Sequence, residues 1–105
     1  MVLRDLLASL GFHVVGEAKD GREVAEKYQD LKPDLVVVEL PMPDMDGVAT
    51  VRQIKYQDPD AAVLICAGRG QRVLATEALQ AGAKDLVLKP IQPRRLLKAI
   101  QMAMR

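Results

Sequence analysis

Three carboxylates cluster around one stretch, Asp34-Leu-Val-Val-Val-Glu39-Leu-Pro-Met-Pro-Asp-Met-Asp-Gly47. Glu39 follows an apolar run. Asp44 and Asp46 follow in a loop stiffened by Pro41 and Pro43, which opens into Gly47. Clustered carboxylates with loop carbonyls suit a hard cation such as magnesium. An aspartate just before a helix is equally a capping residue, so spacing leaves both readings open. A second candidate is Gly68-Arg69-Gly70-Gln71-Arg72, where free amides and two arginines could hold an anion at a helix start. Val73 stands where a dinucleotide fingerprint needs its third glycine, and the run is not a P-loop. An ordinary glycine turn explains it as well. The third is Lys89-Pro90, whose X-Pro bond admits the cis form. A lysine there is a point charge that reaches an acid, and Glu39 is the acid it would meet. There is no nucleophile–base set. His13 stands alone in an apolar run, and Cys66 ends another, which suits a small buried hydrophobe.

The elements that must position these residues follow from periodicity. Leu3, Leu6, Leu7 and Leu10 make one helical stripe, closed by Gly11. Phe12 to Gly16 is short and β-branched and predicts a strand. Asp20-Gly21 marks a turn, and Val24, Tyr28 and Leu31 a second helix, stopped by Pro33. Leu35–Val38 lacks alternation, so both of its faces should be covered, as in a parallel sheet. A third helix begins at Gly47 with Val51 and Ile54 inward. Ala62–Cys66 predicts another buried strand. A helix with Val73, Leu74, Ala78 and Leu79 ends at Gly82. Asp85–Leu88 predicts the last strand. Pro93 opens the last helix, with Leu96, Leu97, Ile100 and Met104 as its buried stripe. Regular strand–helix alternation predicts an α/β domain of four strands and five helices around a parallel sheet. Ligands of such sheets bind beyond the carboxyl ends of the strands, where Glu39 and Lys89 fall.

The whole chain sets bounds. Its 105 residues suffice for one domain, 1–105, and one core. The formal net charge of +1 carries no basic stripe, and aromatic residues are only 3%, which argues against nucleic-acid binding. No apolar run spans a bilayer. A lone cysteine excludes an intrachain disulfide and fits a reducing cytoplasm, so the expected location is cytoplasmic.

Taken together, Val14-Val-Gly-Glu-Ala18, Gly21-Arg-Glu23, Leu31-Lys-Pro-Asp-Leu35, Met42-Pro-Asp-Met-Asp-Gly47, Ala81-Gly-Ala-Lys-Asp85 and Lys89-Pro90 resemble the CheY-like receiver domain of bacterial response regulators. The resemblance runs the length of the chain. It implies a flavodoxin-like sheet in the order 2-1-3-4-5 and a phosphorelay role. In that role an aspartate ending the third strand takes a phosphoryl group from a histidine kinase. Magnesium, an acidic pair after the first strand, a Ser/Thr and a Lys serve the phosphate, and an aromatic residue reports the change.

Carried over residue by residue, the chain departs from this pattern. Glu39 holds the phosphoacceptor position, Ala67 the Ser/Thr position and Leu86 the switch-aromatic position. Lys89 keeps the phosphate-contact position. Pro41, Pro43, Asp44, Asp46 and Gly47 form the active-site loop, with Pro41 in the place of the magnesium-binding carbonyl. Met1 aligns within the first helix, so the first strand and its acidic pair are missing. Glutamate is one methylene longer than aspartate, and transfer falls steeply with misplacement of about 1 Å. The expectation is a degenerate, non-enzymatic receiver-like domain that works through protein partners, a histidine kinase or a downstream signalling protein. No cofactor is expected, since the magnesium that the family binds lacks its acidic pair here, and a homodimer or other oligomer should cover the exposed sheet edges. The alternatives are a phosphorylatable regulator whose first strand is missing from this chain, and an anion-binding protein using Gly68–Arg72.

Overall fold

The computed structural model describes residues 2–40 and 46–105. Five helices and three strands follow in order: α1 Leu3–Ser9, α2 Gly21–Leu31, β1 Val36–Glu39, α3 Gly47–Gln57, β2 Val63–Ala67, α4 Arg72–Gln80, β3 Asp85–Leu88 and α5 Pro93–Ala103. A 3-10 turn, Arg69–Gln71, leads into α4. The strands form one parallel sheet in the order β1-β2-β3, with Val36 opposite Val63 and Leu64 opposite Asp85.

β2 is central and completely buried, as its unbroken apolar run requires. Val63, Ile65 and Ala67 enter one core with Val51 and Ile54 of α3 and Ala75 and Ala78 of α4. Leu64 and Cys66 enter the other with Leu96, Ala99 and Ile100 of α5 and Leu6 of α1. Each fully buried Leu or Ile here contributes about 1.5–3 kcal/mol over the exposed state. The helices carry the terminal chemistry their sequences predict. Asp20 caps α2 by accepting a hydrogen bond from the Glu23 amide at 2.8 Å. Gly11 and Gly82 follow α1 and α4 at φ +95° and +123°, the left-handed region in which a Cβ is strained.

Three sequence expectations need correction. Phe12–Gly16 is not a strand, so the described residues hold three strands, not four. A strand exists only through a ladder, and none of His13–Ala18 makes a backbone–backbone hydrogen bond among the described residues. The segment does not shift across to pair with β1 either. α4 buries its alanines, whereas Val73 and Leu74 face solvent, because small residues let the helix sit close to β2 and β3. Met104 lies past the end of α5 and is exposed.

Candidate functional site

The sheet brings the ends of all three strands together. Glu39 closes β1 and lies in register with Cys66 of β2. Ala67 closes β2 opposite Leu88, and its carbonyl accepts a hydrogen bond from the Lys89 amide at 2.8 Å. Lys89 thus leaves the sheet beside Ala67 and turns its side chain over the strand ends. Its Nζ lies 3.0 Å from Glu39 Oε2 and donates to the Leu40 carbonyl at 3.2 Å. The ion pair read from the sequence is therefore present, and the Lys89–Pro90 peptide bond is cis.

The setting determines what this pair can do. The Glu39 side chain is 47% exposed and that of Lys89 33%, so water screens both charges. Such a pair contributes about 0.2–1 kcal/mol. Its significance is a carboxylate held at one position by an ammonium that a backbone carbonyl also anchors. Cys66 sits beside Glu39 on the neighbouring strand. Burial, and then the negative charge of Glu39, push its thiol up to about 12, with Lys89 opposing. That thiol is no nucleophile near neutral pH. Ala67 is fully buried and offers the site a methyl group in place of a hydroxyl.

The remaining candidates resolve individually. Asp46 is a helix cap: its Oδ1 accepts from the amides of Val48 at 3.0 Å and Ala49 at 3.2 Å. Gly47 is buried, and a Cβ there would lie 2.3 Å from Leu40 Cδ2. Glycine at 47 therefore lets α3 close on the residue whose carbonyl anchors Lys89. Pro41, Pro43 and Asp44 lie outside the described residues. Leu86 is half-buried against the α3–α4 side of the core, and its carbonyl accepts from Arg95 Nη2 at 2.9 Å. At Gly68–Arg72 the Gly68 amide is already taken by Gln71 Oε1 at 2.9 Å, so the turn satisfies its own donor.

The sequence reading missed two contacts. The Leu40 carbonyl has no side-chain signature. The Gln71 amide closing on Gly68 could have been sought from its spacing three residues on.

Among the described residues the donor set does not fit magnesium. No three acidic, histidine or cysteine side chains converge. Glu39 is committed to Lys89, Asp46 to the α3 amides and Asp20 to α2. A hard cation needs about six oxygens, several of them anionic, to displace its water.

Known proteins share this sequence pattern and fold. The sequence pattern of the response regulator receiver domain matches residues 1–101. The chemotaxis protein CheY of Thermotoga maritima is 43% identical over 100 residues, 95% of this chain and 83% of that protein. CheY of Bacillus subtilis matches to the same extent. Among solved structures, the receiver domain of NtrX from Brucella abortus superposes with a TM-score of 0.86 at 28% identity, covering 95% of this chain and 84% of that one. The CheX–CheY–BeF3–magnesium complex from Borrelia burgdorferi superposes at 0.83 with 31% identity, covering 94% and 75%.

Proposed function

This chain belongs to the response regulator receiver domain family, and on that premise we propose that it is a degenerate receiver, signalling through protein contacts without accepting a phosphoryl group. The observation that carries this reading is the 3.0 Å pair between Glu39 and Lys89. Phosphoryl transfer relies on positioning and charge stabilisation. Here the acidic position at the end of β1 is filled by a side chain one methylene longer than aspartate and already paired with the lysine. Ala67 has no hydroxyl for a phosphate oxygen, and no metal-binding cluster forms among the described residues. The Glu39 side chain is held against Lys89, and no covalent step is needed to place it there.

The partners this reading implies are proteins, a histidine kinase or a downstream signalling protein. For a relative, the CheX–CheY complex is an assembly with another protein. No helix is long and apolar enough to cross a membrane among the described residues.

The alternative is a phosphoacceptor at Glu39. What favours it is exposure, since the carboxylate remains 47% open to solvent. Amide NMR during titration with beryllium trifluoride and magnesium separates the two. A degenerate receiver shows no saturable shifts at Glu39, Ala67 and Lys89. Saturable shifts at all three would establish a working phosphate site.

A further inference from the structure

β3 ends the sheet among the described residues, so one side of its backbone has no neighbouring strand. The Lys89 amide donates to the Ala67 carbonyl of β2 at 2.8 Å. Ladder parity then turns Val87 toward β2, and the N–H and C=O groups of Leu86 and Leu88 outward. An edge of this kind is a template for a further strand. Its side chains favour pairing too, because Leu88 is 42% exposed.

Both outward groups of Leu86 are nevertheless occupied, by side chains of this same chain. The Leu86 N–H donates to Asp85 Oδ1 at 2.7 Å. The Leu86 carbonyl accepts from Arg95 Nη2 at 2.9 Å. The same Nη2 lies 3.3 Å from Asp85 Oδ1 and 3.2 Å from Asp85 Oδ2, which closes a ring across the strand edge. Each arm has a local cause. Asp85 opens β3, and an aspartate oxygen readily takes a neighbouring amide. Pro93 starts α5, which packs on β3, so Arg95 in its first turn reaches Leu86. The Arg95 and Asp85 side chains are 44% and 37% exposed, so water screens the ion pair and its charge contributes little. What the pair does is occupy the Leu86 backbone.

Too little edge is left for a ladder. Beyond Leu88 the next outward residue is Pro90, which has no N–H. Before Leu86, the Lys84 amide is committed to the Val63 carbonyl at 2.7 Å. A lone Leu88 offers an incoming strand at most about two hydrogen bonds, whereas Leu86 and Leu88 together offer about four. We propose that Asp85 and Arg95 are an edge lock: by holding both outward groups of Leu86 they keep β3 the last strand and stop a second copy of this chain from adding to it. With the lock removed, the β3 edges of two copies pair antiparallel about a two-fold axis.

The test removes both arms from the full chain with Asp85→Ala and Arg95→Met. Far-UV circular dichroism checks the fold. Sedimentation velocity and residue-resolved hydrogen exchange are then compared in dilute and concentrated samples. The double variant should gain mass with concentration beyond that of the natural chain, and exchange at the Leu86 and Leu88 amides should slow at least tenfold in the concentrated sample. The natural chain should show no such slowing at either amide. Adding Leu88→Pro removes an outward donor without touching the β2 ladder, and should abolish the association. Should that triple variant not fold, the exchange data on the double variant decide. A folded double variant that associates no more than the natural chain overturns the lock. So does association without protection at Leu86 and Leu88, or association that survives Leu88→Pro. Should the double variant not fold, Arg95→Met alone carries the comparison. Loss of fold in that variant too overturns the proposal, since a lock on a strand edge is not what holds the core.

Discussion

Replacing Gly47 with alanine tests how the site is held. The added Cβ would lie 2.3 Å from Leu40 Cδ2 and 3.8 Å from Val38 Cγ1. Carbon atoms at rest sit about 3.5–4.0 Å apart, so Leu40 must move by more than about 1 Å. Leu40 is 2% exposed, so its side chain must re-pack among buried neighbours. Overpacking of this kind costs about 1–3 kcal/mol. Alanine recovers part of that, at most about 1 kcal/mol, because it is the better helix former. The expected net loss is about 1–2 kcal/mol, or a fall in Tm of about 5–15 °C for a domain of this size. Thermal unfolding followed by far-UV circular dichroism measures it. The companion is Leu40→Ala, which alone costs about 2–5 kcal/mol. In the double variant the clash is absent, so the combined loss should fall about 1 kcal/mol or more short of the sum. An unchanged or raised Tm for Gly47→Ala, or strict additivity, would refute the argument that glycine at 47 exists to admit Leu40.

Further outcomes follow from the same contacts. Asp46→Ala should cost about 1 kcal/mol in denaturant unfolding and Asp46→Asn much less, since either Asp or Asn caps α3; equal losses would show that the charge, not the cap, matters. In a double-mutant cycle of Glu39→Gln and Lys89→Met the coupling should stay below about 1 kcal/mol, as both side chains reach water. Tyr28 donates to Asp58 at 2.8 Å, and burial followed by that carboxylate raises its phenol to about 12. Its folded value lies above the unfolded value of about 10. The stability it contributes is therefore complete below pH 10 and lost as pH rises toward 12, and Tyr28→Phe should flatten stability across that window. The Tyr28 hydrogen bond also lowers Asp58, so that pair's contribution fades under acid as pH falls through the folded value. Cys66 should react with a thiol reagent near neutral pH only as fast as the core opens, and denaturant should accelerate the reaction sharply.

Much of the architecture was readable in the sequence. The helices announced themselves by stripes and caps, and β2 by a run with no polar position. The Glu39–Lys89 pair was readable because both residues end strands of one parallel sheet. Phe12–Gly16 was misread for a physical reason: β-branched composition marks a segment able to pair, and pairing depends on a neighbour that composition does not report. The exposed Val73 and Leu74 failed similarly, since apolar spacing alone cannot say that Ala75 and Ala78 take the inner face. Asp46 allowed two readings, ligand or cap, and only the positions of the Val48 and Ala49 amides chose between them.

The central claim is that Glu39 is a fixed charge held by Lys89 and not an acceptor. Intact-mass spectrometry of the full chain incubated with acetyl phosphate and magnesium tests it most directly. The account predicts an unchanged mass throughout the incubation. A stable gain of one phosphoryl group, mapped by peptide fragmentation to Glu39, would contradict it.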